Sequence, residues 1–315
     1  MIDLTIIVPH YNTPHCLEVL LKSIPRLNNV QVLVIDDKSD KHLAELDAIK
    51  ADSRFSHVSF IDNTTNVKSA GTCRNIGQEH AIGKWVMYAD ADDYFVDGFY
   101  EMVEKFFCTD YEVVFFVPTS VDVDTGKKAL KHKSFADAML KYASEPSLQN
   151  ELELRYYVLV PWSKMVRLDF IRKRSINFDE VIVSNDVAHS VKLGHYMQKF
   201  CVSLDVIYIV TQRENSLSRT YDEVHYDVRV KTFLWWHSFL KQNLCNKKFK
   251  MVNYNICFIL FVEAFDAIGY KLGIKKTIQT LQLIGRSGVK IPSVKFLPKV
   301  IYWILVRRKM LERAA

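Results

Sequence analysis

The 315-residue chain has no C-x-x-C pair; its six cysteines (Cys16, Cys73, Cys108, Cys201, Cys245 and Cys257) are scattered. That spacing excludes a zinc ribbon and a disulfide framework, and reads as reduced, mostly buried thiols in a cytosolic protein. No uninterrupted apolar run exceeds about seven residues, whereas crossing a bilayer takes roughly 20. Met1-Ile2-Asp3-Leu4 is expected to run straight into a strand and does not read as the opening of a signal peptide. A secreted or membrane-spanning protein is therefore not expected. Internal repeats are absent, as are G-x-G-x-x-G and H-E-x-x-H, so neither a dinucleotide fingerprint nor a metalloprotease helix is supported. The last absence also leaves His189 and His195 as packing or surface residues.

What is present is a globular composition, 49% hydrophobic and 25% charged, at a length that suits one large α/β domain with an appendage, or two domains. The net charge of +6 hides an asymmetry: residues 1–225 carry −7 and residues 226–315 carry +13. An acidic body joined to a basic tail points to chemistry in the first part and attraction to an anionic surface in the second.

Along the first 120 residues strands alternate with helices. Leu4–Val8 reads as a buried strand stopped by Pro9, and Thr13-Pro14 opens a helix through Ser23 with Thr13 as N-cap. Val30–Ile35 is a second strand ending in Asp36-Asp37, Lys41–Ala51 is helical, and Val58–Ile61 is a third strand. Gly71–Ala81 is helical, the next strand ends at Asp90, Asp97–Phe107 is helical, and Glu112–Val117 is another strand. This alternation predicts a doubly wound, mostly parallel sheet flanked by helices. Residues 121–160 are less regular, and Arg155–Arg167 has no assignable structure. Short helices are expected at Asp169–Arg174 and Asp186–Leu193, with a late strand at Val206–Val210. From about Asp222 the chain becomes helical, basic and aromatic.

Four constellations fall at strand ends, where open α/β sheets bind ligands. Pro9-His10-Tyr11-Asn12 offers a ring to a nucleobase. Asp36-Asp37-Lys38-Ser39 offers carboxylates to base or ribose donors, with Asp36 equally readable as an N-cap. Arg74, in Gly71-Thr72-Cys73-Arg74-Asn75-x-Gly77, offers a guanidinium fork to a diphosphate. Asp90-Ala91-Asp92-Asp93 crowds three carboxylates into four residues, which repel one another unless a cation or donors neutralise them. Read alone, each is equally a turn, a cap or a surface ion pair; their common placement is what argues for a site.

These segments resemble glycosyltransferase family 2, whose fold is GT-A. The resemblance is carried by Ile6-Ile7-Val8-Pro9-His10-Tyr11-Asn12, Val34-Ile35-Asp36-Asp37-Lys38-Ser39, Arg74-Asn75-Ile76-Gly77 and Tyr88-Ala89-Asp90-Ala91-Asp92-Asp93. It continues more weakly through Pro161-Trp162-Ser163-Lys164, Ile176–Glu180, Ser184-Asn185-Asp186 and Tyr208–Ser218, segments similar to the acceptor half of bacterial capsule, lipopolysaccharide and O-antigen transferases. A GT-A domain over 1–225 is implied, its nucleotide-sugar half in 1–120 and its acceptor half in 121–225, followed by a basic helical region over 226–315.

The resemblance also implies roles. Pro9, Tyr11 and Asp37 would hold the nucleoside, with uridine the usual case, and Arg74 would lie near the diphosphate or sugar. Asp90 and Asp92 fill a D-x-D motif, Asp92 foremost as direct ligand of Mn²⁺ or Mg²⁺, with Asp93 the common third acid. Asp186 falls at the catalytic base; the family motif is usually Glu-Asp and here reads Asn185-Asp186. Trp162 is core or a platform for an acceptor sugar, and the family context favours the acceptor. An inverting, metal-dependent transfer from a nucleotide sugar to a glycan or lipid-linked acceptor in bacterial surface-polysaccharide synthesis is then expected. The alternatives are a nucleotidyltransferase, which lacks its Gly-rich, Lys-bearing loop here, and a nucleotide-sugar or glycan-binding protein without catalysis.

In the tail, Trp235-Trp236, Ile256–Val262 and Val300–Val306 supply apolar surface, while Lys247, Lys248, Lys250, Lys275, Lys276, Arg307, Arg308 and Lys309 supply charge. This pattern suits either a packed helical subdomain or a peripheral anchor on an anionic membrane at the inner face of the cytoplasmic membrane. No recognition motif supports nucleic-acid binding.

Overall fold

All seven residues of the first strand, β1 (Leu4–His10), are buried, as a central parallel strand requires. With β2 (Val30–Asp36), β3 (Val58–Asp62) and β4 (Trp85–Tyr88) it forms a parallel group in the order β3-β2-β1-β4. These assignments come from a computed structural model that describes residues 1–212 and 222–289. The chain divides into two compact units, Met1–Arg213 and Glu214–Ala315.

In the first unit the remaining strands are β5 (Tyr94–Phe95), β6 (Val113–Phe116), β7 (Thr119–Asp122), β8 (Lys164–Arg167), β9 (Phe200–Ser203) and β10 (Tyr208–Gln212). The main sheet has seven strands in the order β3-β2-β1-β4-β8-β6-β9, and a second sheet runs β5-β10-β7. The strand expected over Glu112–Val117 forms as β6 but does not pair with β4. Instead β8 lies between them, antiparallel to both. The unassignable stretch Arg155–Arg167 thus holds the strand that joins the two halves of the sheet.

The helices are α1 (Pro14–Ser23), α2 (Leu43–Ala51), α3 (Ala70–His80), α4 (Phe99–Glu104), α5 (Lys133–Ser144), α6 (Leu148–Tyr157), α7 (Leu168–Arg174) and α8 (Val187–Tyr196). Alternate strand residues feed two cores. Ile6, Val8, Val32, Val34, Trp85 and Met87 pack with Leu17, Leu20 and Leu21 of α1 on one face. Ile7, Leu33, Ile35, Val86 and Tyr88 pack with Cys73 of α3 and Phe170 and Ile171 of α7 on the other. This is the period-two alternation of a sheet covered on both sides. The fold is mixed α/β of the GT-A kind, with a mostly parallel central sheet.

Two capping expectations turn out differently. Thr13 precedes α1 but makes no side-chain cap; Pro14 at the first helical position and the Thr13 carbonyl, accepting from Cys16 and Leu17, start the helix instead. Asp36 caps no helix, since α2 begins seven residues later, after His42.

The second unit is helical: α9 (Glu223–Asn243), α10 (Asn246–Gly269) and α11 (Gly273–Arg286). The Asp222 carboxylate caps α9 by accepting the His225 N–H at 2.8 Å. Trp236 is buried, and Lys276 is paired with Asp227 at 2.7 Å and Glu223 at 2.8 Å. Among the described residues one helix, α10, is long and apolar enough to cross a membrane by length and composition alone, and 47% of its apolar window is buried in the protein. The run-length count overlooked it because Asn253, Asn255, Glu263 and Asp266 interrupt its apolar residues. A core helix of a soluble protein passes the same test. The expected features at Val300–Val306, Arg307, Arg308, Lys309 and Arg213–Ser218 lie outside the described residues.

Candidate active site

Because β1 is flanked by β2 and β4 in parallel, the segments after all three emerge at one edge of the sheet. Register sets His10 opposite Asp36 and Ile7 opposite Tyr88. Chemistry-bearing residues from three loops therefore meet at the carboxyl ends of central strands.

The loops after β1 and β2 are tied together. His10 is buried, and its Nδ1 lies 2.8 Å from Asp36 Oδ1, so the ring serves the loop and is not open to a nucleobase. Asp36 also accepts from the Ser39 amide at 2.9 Å and hydroxyl at 2.6 Å. Burial pushes the Asp36 carboxyl up, but the His10 ring and the two Ser39 donors outweigh it and hold the group at about 2. Asn12 has a left-handed backbone (φ 55°), a conformation Asn tolerates. Its side-chain oxygen accepts the amides of Asp40 at 3.0 Å and Lys41 at 2.9 Å.

Pro9, expected to stop this strand, lies within it opposite Ile35, and β1 runs on to His10, because the proline only forgoes one donor in the parallel ladder. Tyr11 is half-buried; Lys68 Nζ stands 3.6 Å from its ring centroid, and its hydroxyl donates to Asp40 at 3.2 Å. Asp37 is buried and accepts from Asn63 Nδ2 at 2.8 Å. Asn63, supplied by the segment after β3, was not singled out from sequence, since a single Asn after a strand carries no pattern.

Helix α3 brings Arg74 to the second cluster. Ser69 caps the helix, its hydroxyl accepting the Thr72 amide at 3.0 Å. A Cβ at Gly71 would fall 2.1 Å from the Asp179 carbonyl oxygen, so only glycine lets the segment before α8 come this close. Arg74 is 5% exposed and forks: Nη2 donates to Asp90 Oδ1 at 2.6 Å and Nη1 to Asn185 Oδ1 at 2.8 Å. Asn185 supplies an amide oxygen where the family motif has a second carboxylate. Both terminal nitrogens of Arg74 are thereby paired without another negative charge, while its buried Nε has no partner among the described residues.

Asp90, Asp92 and Asp93 present one carboxylate oxygen each within 4.8 Å of one another. Hard oxygen donors this close fit a divalent cation such as Mn²⁺ or Mg²⁺. The three are not equivalent. Asp93 is buried and accepts the Thr211 amide at 2.7 Å, while Thr211 Oγ1 donates to the Asp92 carbonyl at 2.8 Å. Burial, then the Asp90 and Asp92 charges, raises the Asp93 carboxyl well above its usual range. The Asp90 amide donates to the Tyr208 hydroxyl at 2.8 Å. Strand β10 thus anchors the acidic turn through Tyr208 and Thr211, neither of which a local sequence signal identifies as support.

Asp186 sits at the N-cap of α8, one residue from Arg74's partner Asn185. Burial raises its carboxyl above the usual range, the Asp90 charge adds to this, and Arg74 and Lys164 oppose it. The fork of Arg74 therefore links the acidic turn to the segment that carries Asp186. His189, one turn further on, is 1% exposed and stacked on Phe178 at 3.9 Å, a packing residue as expected. Trp162 is 5% exposed, stacked on Tyr208 at 5.8 Å and edge-on to Phe135, with its ring in the core.

The model of the family described as "Glycosyl transferase family 2" matches residues 5–174, more than half of the chain, including the ends of β1, β2 and β4 but neither the Asp186 segment nor β10. The chain belongs to glycosyl transferase family 2. Among curated proteins it is 33% identical over 108 residues to an uncharacterized glycosyltransferase of Rickettsia conorii, matching 33% of this chain and 17% of that one. It is 29% identical over 96 residues to a poly(ribitol-phosphate) beta-glucosyltransferase of Bacillus spizizenii, matching 29% and 15%. The chain thus covers about a sixth of the length of these relatives.

Among solved structures, Staphylococcus aureus TarS 1-349 in complex with UDP-GlcNAc has a TM-score of 0.74 at 19% identity, covering 99% of this chain and 90% of that one. The mannosyltransferase PcManGT of Pyrobaculum calidifontis, in complex with GDP-Man and Mn²⁺, has a TM-score of 0.57 at 14% identity, covering 99% and 85%. At these identities the likeness establishes the GT-A fold of this family 2 member and no more.

Proposed function

We propose that this family 2 protein is an inverting, metal-dependent glycosyltransferase that moves a sugar from a nucleotide sugar, with a uridine diphosphate leaving group, to a hydroxyl of a glycan or lipid-linked acceptor. The observation that carries the reading is the Arg74 fork, which joins the acidic turn at Asp90 to the segment bearing Asp186. One guanidinium thus stands between a diphosphate-binding edge and a candidate base. The solved complexes of TarS with UDP-GlcNAc and of PcManGT with GDP-Man and Mn²⁺ support a nucleotide-sugar donor and a divalent ion. The Bacillus relative's poly(ribitol-phosphate) acceptor supports a surface polymer as the recipient. In this reading the protein works in the cytoplasm, at the inner face of the membrane.

In this mechanism Asp37, with Pro9 and Tyr11, holds the nucleoside, the loops being braced by the His10–Asp36 pair. Asp92 and Asp90 would hold the ion, which when bound would neutralise charge gathering on the departing diphosphate. Arg74 offers its cationic edge to the same leaving group. Asp186 accepts the proton of the acceptor hydroxyl as its oxygen bonds to the anomeric carbon and the bond to the diphosphate oxygen breaks. Approach opposite the leaving group inverts the anomeric centre. Burial raises the Asp186 carboxyl above the usual range, which makes it a stronger base than a surface carboxylate, and Arg74 opposes that rise.

Thermal unfolding with a panel of uridine and guanosine nucleotide sugars, with Mn²⁺ or with chelator, tests the reading. Stabilisation by a nucleotide sugar that needs the metal, with slow metal-dependent release of the nucleoside diphosphate, is the expected result. Stabilisation by nucleoside triphosphates alone, with release of pyrophosphate, would point to a nucleotidyltransferase instead.

A further inference from the structure

Lys164 is 2% exposed at the start of β8, and no step above uses it. A lysine is among the residues least often fully buried, because its charge must be taken out of water. Here the ammonium donates to the Val158 carbonyl at 2.7 Å and to the Ser190 hydroxyl at 3.4 Å, and it faces the Phe115 ring at 5.6 Å. Ser190 closes the arrangement. Its hydroxyl donates to the Leu159 carbonyl at 2.7 Å, and its amide donates to the Asp186 carbonyl at 2.9 Å in the first turn of α8. The lysine therefore fastens the 158–159 backbone to the turn that Asp186 opens. The residue before it, Ser163, is fully buried with a left-handed backbone (φ 56°), a conformation held only where its surroundings impose it.

We propose that Lys164 is a positioning residue for Asp186: its clamped ammonium fixes the start of α8 and brings buried positive charge to the segment that carries the Asp186 carboxylate. This rests on the reading of Asp186 as the base. Burial pushes Lys164 down to about 7, and the Asp186 carboxylate acts in the opposite direction. Lys164 in turn lowers Asp186. The other charged groups acting on Asp186 are Arg74 from α3 and Asp90 from the turn after β4. On α8 itself, His189 is pushed well below its usual range by burial and by Lys164, Arg74 and Lys192, so it stays neutral and supplies no competing charge.

The test compares transfer by wild type and K164M across pH. Methionine keeps the length and loses the charge. The expected result is a kcat lower by about tenfold or more, a donor KM within about twofold, and an acid limb of kcat moved up by about one pH unit. A lowered melting temperature with kcat and acid limb unchanged overturns the proposal and leaves a purely structural lysine. A second measurement decides where K164M does not fold, and it needs no activity. In ¹³Cε-lysine-labelled full-length protein, D186N should lower the titration of the Lys164 signal, assigned by its loss in K164M or by its titration near neutrality, by about one pH unit, because the coupling is reciprocal. An unmoved signal overturns the proposal. A wild type that neither transfers nor hydrolyses any donor counts against the glycosyltransferase reading, and the lysine signal still reports whether Asp186 and Lys164 are coupled.

Discussion

The His10 ring and the Asp36 carboxylate meet at 2.8 Å across the register of β1 and β2, both buried beneath the loops that would receive a nucleoside. Their bond is one of three that hold Asp36 at about 2, against an ordinary value of 3.8. A carboxyl depressed in the folded state contributes stability that is fully present above its unfolded value. That stability disappears as pH falls through the folded one. The shift corresponds to about 2 kcal/mol at neutral pH. D36N is therefore expected to unfold more easily at pH 7 by roughly that amount, with the gap to wild type closing between about pH 4 and pH 2. Urea unfolding at several pH values checks this; a gap independent of pH would show that the lost bonds, and not the charge, matter.

The Arg74 fork makes arginine irreplaceable at that position. Lysine retains the charge but has no second planar donor to serve both Asp90 and Asn185. R74K is expected to lose about 10²-fold or more in kcat/KM, in the range found when one preorganised donor is removed from a transition state. Steady-state kinetics with the best nucleotide sugar measure it. A loss under threefold would assign Arg74 to structure alone.

The strand ends were legible in the sequence because apolar runs stopped abruptly at Asp36, Asp37 and Asp90, and the fold delivers them to one edge as parallel strands must. The order of the helices through residue 120 was legible for the same reason, with boundaries displaced by up to three residues: the helix expected from Gly71 begins at Ala70, under the Ser69 cap, and the one expected to Phe107 ends at Glu104. What escaped local reading came from distant pairing. Strand β8 is four residues with a cation at each end, and nothing in Lys164-Met165-Val166-Arg167 announces a central strand. Tyr208 and Thr211 steady the acidic turn from about 118 residues away. Which ring of Pro9-His10-Tyr11-Asn12 faces a ligand was not legible from the residues alone, because sequence does not show that His10 has a partner across the sheet.

Asp92 and Asp186 are expected to fail in different ways. D92A should abolish the metal-dependent part of donor binding, since one of the oxygens grouped within 4.8 Å is lost. D186N should keep donor affinity and lose about 10²- to 10⁴-fold in transfer, the usual contribution of a general base. Calorimetry with nucleotide sugar, with and without Mn²⁺, separates the two. Undiminished turnover by D186N would remove it from the mechanism, and unchanged metal-dependent affinity in D92A would move the ion elsewhere.

Gly71 offers a test that touches no reacting group. Its missing Cβ is what lets the Asp179 carbonyl approach, and the same built Cβ would lie 3.0 Å from Asn185 Cβ. In G71A the backbone of residues 179–185 must retreat, because a carbonyl oxygen at 2.1 Å cannot be accommodated by a side-chain rotation. Overpacking of this kind costs about 1–3 kcal/mol. The retreat would also draw Asn185 off Arg74 and displace Asp186 beside it, whereas the three atoms nearest the built Cβ include none from the nucleoside loops after β1 and β2. The melting temperature of G71A should therefore fall, and kcat should drop by more than donor affinity does. Equal losses in kcat and affinity would mean that α3 itself had shifted, carrying Arg74 away from Asp90.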